Sequence, residues 1–224
     1  MLIIKRLRMY RLSFLLILLF PGLASSQINN EDFGNWLRTD FSYGVNKKVS
    51  LNGRFELRTI NNSTEIRQLF SEFSAKVKLN SFFRTAFAYR AKSVNEEYGN
   101  IFQNRFHADL TFRHKIGELT FLLRNRAQYN LIPNEVNQFF ERVRIKTAYK
   151  INKKIKAFLF NEFFFHINNL AGPIYDKNRL GIGIEYKLNR SLFLGIKYLR
   201  NKELNSYNPQ IINVIGLGIT HKLN

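Results

Sequence analysis

The chain has 224 residues, enough for one domain with a sizeable core. It has no cysteine, which excludes disulfides, thiolate metal sites and a Cys nucleophile. Its 22 Phe and 10 Tyr against one Trp mark a β-rich composition, and the formal charge of +19 points toward an anionic partner.

The first residues change how that charge is read. Lys5, Arg6, Arg8 and Arg11 precede the apolar run LSFLLILLF, then PGLASSQ. A basic region, a short apolar stretch and the small residues Ala24-Ser25-Ser26 make residues 1–26 a cleaved secretory signal. The apolar run is too short to span a bilayer as a helix. Residues 27–224 are then the mature protein, with 31 basic and 16 acidic residues. An exported chain is not expected to meet nucleic acid, so the charge needs another purpose.

After the leader, alternation of period two recurs and no amphipathic helix stands out. Segments run at roughly 35–45, 49–59, 67–79, 82–92, 101–114, 118–129, 138–150, 155–165, 178–188, 191–201 and 211–223. Most approach the ~9–11 residues of a tilted strand that crosses a bilayer. Short connections, such as Asn46-Lys47-Lys48, Asn80-Ser81 and Asn189-Arg190, alternate with longer ones. Pro133, Pro173 and Pro209 all fall in the longer set, as expected where the backbone is unpaired. Short turns on one rim and long loops on the other are the pattern of an outer-membrane barrel.

Each segment has an apolar face and a charged one. In NRLGIGIEYKL (178–188), Leu180, Ile182, Ile184, Tyr186 and Leu188 alternate with Arg179, Gly181, Gly183, Glu185 and Lys187. Tyr43, Tyr149 and Tyr186 lie beside short turns, and Tyr89, Tyr129 and Tyr198 beside long loops. Two tyrosine girdles place the apolar face against lipid. Asn104, Asn125, Glu141 and Asn161 oppose this pattern, and a bulge or register shift would move Asn125 off the apolar face. Phe70, Phe82, Leu122, Phe158, Phe160 and Phe193 fall on the charged side, which implies a partly packed interior. The glycines of the alternating strands would leave room there for arginines.

The charged face is an arginine–carboxylate network. It comprises Arg38, Arg54, Glu56, Arg58, Glu72, Arg84, Arg105, Asp109, Arg113, Arg124, Arg126, Arg142, Arg144, Glu162, Arg179 and Glu185, with Asp40 beside it. The planar fork of arginine suits dense pairing with carboxylates, and arginine is in excess here. Such a network can fill a narrow barrel or line an anion-attracting pore. His107 points inward, but no GxSxG, HExxH, metal cluster or phosphate loop is present.

Several pieces together resemble the uncharacterised outer-membrane family called domain of unknown function 2490. They are Trp36-Leu37-Arg38, FELR (55–58), NRFHADLTFRHK (104–115), LRNRAQY (123–129), RVRIKTAY (142–149), NEFFF (161–165), NRLGIGIEYKL (178–188) and GIKYLRN (195–201). The resemblance spans about residues 35–223 and implies a small outer-membrane barrel in a Gram-negative cell, with no established activity. The final HKLN departs from the terminal aromatic that many barrels carry.

The expected fold is an all-β, antiparallel up-and-down transmembrane β-barrel of about twelve strands, with ten as the other count. The twelfth strand would come from residues 27–34, because single-chain bacterial barrels have even strand numbers. The expected role is structural, or that of a narrow anion-preferring channel, without enzyme activity, metal or cofactor. Outer-membrane lipid is the expected partner, and no solute is indicated. A lipid-modifying hydrolase and a secreted soluble β-barrel or sandwich that binds a ligand stay open as other classes.

Overall fold

A computed structural model describes residues 31–96, 99–170, 172–206 and 209–223. The leader assigned to residues 1–26 lies outside the described residues. Eleven strands follow one another: β1 (Glu31–Gly44), β2 (Val49–Ile60), β3 (Glu65–Lys78), β4 (Phe83–Glu96), β5 (Gly99–Ile116) and β6 (Leu119–Leu131), then β7 (Gln138–Lys150), β8 (Ile155–His166), β9 (Ile174–Lys187), β10 (Leu192–Glu203) and β11 (Ile211–Leu223). They correspond to the eleven alternating segments.

Each strand pairs antiparallel with its neighbour in sequence, and β1 pairs with β11 to close a barrel. This last pair is parallel, with Leu37 opposite Leu217 and Arg38 opposite Gly218. The expectation of twelve or ten fully antiparallel strands is therefore corrected to eleven with one parallel seam. The reason is geometric: an odd number of strands joined by hairpins leaves the first and last pointing the same way. Of residues 27–34, expected to add a twelfth strand, 31–34 belong to β1 itself and 27–30 lie outside the described residues.

The short-turn rim is built from a repeated local device. Asn46, Asn80, Asn152 and Asn189 each accept, through Oδ1, backbone N–H groups two and three residues ahead. An apolar residue precedes each asparagine and its N–H donates across the turn, as from Val45 to Val49 and Leu188 to Leu192. This side-chain mimicry of a backbone turn is what asparagine does best. The fifth short turn instead uses Gly117 at φ 58.

Burial is inverted relative to a soluble barrel. Among the described residues, thirty-nine large apolar side chains are exposed, whereas Arg90, Arg126, Arg142, Glu56, Glu72 and Glu162 are buried. All six girdle tyrosines are on the exposed side. The pairing of β6 with β5 and β7 runs without a bulge, so Asn125 stays outward, contrary to the expected shift. It donates instead to Glu141 Oε1 at 2.7 Å. Similar outward pairs join Tyr89 to Asn104, Tyr198 to Asn213, and Asn178 to Asn161 and Tyr175. The misplaced polar residues thus satisfy one another in the half of the barrel toward the long loops.

Candidate functional site

The interior has two walls. Along β8 to β11 and β1 it is aromatic and aliphatic: Trp36, Phe160, Leu199 and Val214 form a buried cluster, with Phe158 and Ile212 packed on it. Glycines make this wall possible. A Cβ on Gly181 would sit 2.5 Å from Phe160 and one on Gly183 2.6 Å from Phe158, and one on Gly216 would collide with Lys197. These glycines therefore admit phenylalanine and lysine, not the expected arginines. Only Gly218 faces an arginine, with Arg38 at 3.5 Å.

The other wall, mainly β2 to β7, carries the charges, and each carboxylate is chelated. Glu162, fully buried at 0% exposure, is ringed by Arg124 (2.5 Å), Arg144 (2.6 Å), Arg142 (2.8 Å) and Arg179 (3.5 Å). Asp109 takes a two-pronged contact from Arg126 at 2.6 and 2.7 Å. Glu72 accepts from Arg90, and Glu56 from Arg58. Arg54 bridges Asp40 (2.7 Å) and Glu72 (3.7 Å), and Arg38 also binds Asp40 (2.8 Å). Glu185 holds Lys146 at 3.6 Å and also Lys156. Forked guanidinium–carboxylate bonds of this kind offset the cost of removing charge from water.

The two walls meet through cation–ring contacts. Arg58 lies 3.7 Å over Trp36 and Arg90 3.7 Å over Phe70. Arg142 covers Phe164, Arg144 covers Phe160 and Lys146 covers Phe158. Aromatic faces thereby hold a second side of cations whose other side meets a carboxylate.

Of the sixteen residues singled out in the sequence, Arg84 and Arg113 stand apart. Both lie near the short-turn rim and make no ion pair among the described residues. Arg105 faces the interior and, among the described residues, bonds only Asn130. The other thirteen join the ion pairs above. Sequence reasoning missed Lys92, Lys146 and Lys197, although each continues the inward phase of its strand. Phe82, assigned inward, is exposed at the rim, stacked with Phe112 and His114.

A cavity of about 890 Å³ runs through this interior. Its lining extends from Arg67, Glu96 and Lys177 at the long loops to Ser42, Lys76 and Lys222 at the short turns. Seventeen Lys and Arg and eight Asp and Glu line it. His107 also lines it, buried and with Nδ1 lacking a hydrogen-bond partner. No group of three or more His, Asp or Glu fit to hold a metal occurs among the described residues.

The model of a family described as "Protein of unknown function (DUF2490)" matches residues 33–211, from the start of β1 to the first residue of β11. The chain belongs to this family. The match takes in β1 to β10 and the charged wall, and stops where β11 begins. No curated protein matches the chain.

Proposed function

We propose that this protein is an outer-membrane β-barrel whose interior is a narrow, anion-preferring passage. The observation that carries the reading is the cavity, lined from one rim to the other by about twice as many basic as acidic side chains. Fixed positive charge along a narrow passage with low-dielectric walls raises the local concentration of anions and repels cations. Among the described residues, six of the eight carboxylates that line the cavity are held by arginine or lysine, all but Glu135 and Asp176, so the surplus charge facing water is positive.

The outer face supports placement in a bilayer. The apolar positions Leu180, Ile182, Ile184 and Tyr186 on β9, and Leu188 just after it, are all exposed. Eight steps of ~3.3 Å at a tilt near 40° give about 20 Å along the barrel axis, close to the ~25 Å apolar band of outer-membrane barrels. A soluble monomer rarely exposes a continuous apolar surface of this extent. The tyrosines at both ends of the band supply rings suited to the headgroup level. The signal-like leader agrees with export.

The test uses protein extracted from membranes of cells that express the full chain. Folded barrel is expected to migrate differently on SDS gels before and after heating, and to fractionate with the outer membrane. In planar bilayers under a potassium chloride gradient, the reversal potential is expected to report preference for chloride. A silent barrel or a cation-selective current would refute the passage; a soluble protein without a heat shift would refute the membrane placement.

A further inference from the structure

Inside the barrel, three cross-strand pairs set arginine directly opposite arginine: Arg124 with Arg144, Arg126 with Arg142, and Arg90 with Arg105. Like charges at such positions destabilise a sheet unless a counter-charge lies between them. The first two pairs have theirs in Glu162 and Asp109. In the third, Arg90 places Nε and one terminal amino group on Glu72. Arg105 has no carboxylate within ion-pair distance among the described residues. Its Nε donates to Asn130 Oδ1 at 2.7 Å, and its two terminal amino groups have no hydrogen-bond acceptor among the described residues. The strongest charges acting on it are Arg90, Arg142, Arg58 and Arg126, all positive.

Two further groups flank this free guanidinium. Lys92, the next inward position after Arg90, makes no ion pair or hydrogen bond among the described residues. Gln103 stands directly opposite Lys92 and two residues before Arg105. It is 7% exposed, yet its amide has no hydrogen-bond partner among the described residues. All three side chains line the cavity. The neighbouring carboxylates Glu72, Glu56 and Glu96 are occupied by Arg90, Arg58 and Arg67.

We infer that Arg105, Lys92 and Gln103 form an anion site in the barrel interior, built for a tetrahedral oxyanion of the phosphate class. The inference rests on the reading of this interior as anion-preferring, but it does not require ions to pass through. A guanidinium fork, an ammonium and a carboxamide N–H present donors from separate directions. A carboxylate offers two oxygens in one plane, whereas a tetrahedral oxyanion turns oxygens toward all three. Its second negative charge also matches the local surplus of cations.

The experiment is calorimetric titration of inorganic phosphate into the membrane-extracted barrel, in neutral detergent at physiological chloride. Saturable binding of one phosphate per chain is expected, with competition from sulfate and none from acetate. Arg105→Gln is expected to weaken binding about 10–100-fold, the loss of one or two charge-assisted hydrogen bonds. Lys92→Gln, whose ammonium makes no contact within the protein, is expected to weaken it less, and heat-modifiable migration checks that both variants fold. Absence of saturable phosphate binding by the unaltered barrel, undiminished binding by both variants, or equal competition from acetate overturns the site. Tighter binding of glycerol phosphate than of the free ion assigns the site to a phosphorylated solute; the reverse order assigns it to phosphate itself. A barrel that binds phosphate but passes no current keeps the site and refutes the passage. One that conducts without binding phosphate does the opposite.

Discussion

Glu162 shows how much one side chain carries in this interior. It has no exposure, and four guanidinium groups converge on its two oxygens. Neutralising it leaves those cations facing one another with no carboxylate between them. Removing one partner of a buried ion pair costs about 3–5 kcal/mol, so Glu162→Gln is expected to destabilise the barrel by that order. Urea unfolding in lipid vesicles measures it. Arg179→Met removes the most distant of the four cations and relieves repulsion among the rest, so it is expected to cost less. Equal stability of Glu162→Gln and the unaltered protein would mean that the ring of arginines is solvated and contributes nothing. The importance of Glu162 was legible in the sequence only as one inward carboxylate among several. Its four partners come from β6, β7 and β9, and alternation along a strand says nothing about which residues of other strands stand level with it.

Strands and turns follow from local chemistry to a greater degree. Alternation of period two marks every strand, because successive side chains leave the pleat on opposite faces. The asparagine turns repeat because Oδ1 replaces a backbone acceptor wherever the chain reverses. A strand, however, does not declare which face meets lipid. That question has a direct test on β10. Ile196 is outward and half-exposed, in the middle of its strand. In a bilayer, Ile196→Lys is expected to cost about 2–4 kcal/mol, as for Arg or Lys near the midplane on the lipid face of a barrel. On a water-facing surface the same change would fall within about 0.5 kcal/mol. Folding free energies in vesicles separate the two, and a near-zero cost would remove the lipid-facing assignment of this face. The outward pairs Asn125–Glu141 and Tyr198–Asn213 show why single residues misled the reading of faces: a polar side chain is tolerated on the apolar side when a neighbour one strand away satisfies it.

Closure belongs to the molecule as a whole. Eleven strands meet at a parallel seam, and β1 contributes its inward Trp36 and Arg38 to both walls of the cavity. The seam predicts a specific cross-link. The chain has no cysteine of its own, so Leu37→Cys combined with Leu217→Cys introduces one pair at directly opposed positions. Mild oxidation of the folded protein is expected to join them, as seen by changed gel mobility that reverses on reduction. A twelfth strand between β1 and β11 would hold the two sulfurs too far apart to bond, and failure to cross-link would overturn the eleven-strand closure. The net charge also finds its place at this level. Part of it faces the cavity, and part lies on the short-turn rim, where Lys47, Lys48, Lys153, Lys154 and Arg190 are exposed.

The eleven alternating segments, the turn positions and the arginine-rich character of one face are readable in the sequence alone, because alternation and turn chemistry act between residues close in the chain. The even strand count failed because it was borrowed from other barrels and not from the eleven segments visible here. Three things depended on tertiary structure: the parallel seam, the pairing of each carboxylate with its cations, and the isolation of Arg105 beside Lys92 and Gln103. Each is a matter of register between strands, set by closure of the barrel and by glycines that admit Phe158, Phe160 and Lys197 into its interior. Charge pairing is a contact between strands, and no period along a single strand encodes it.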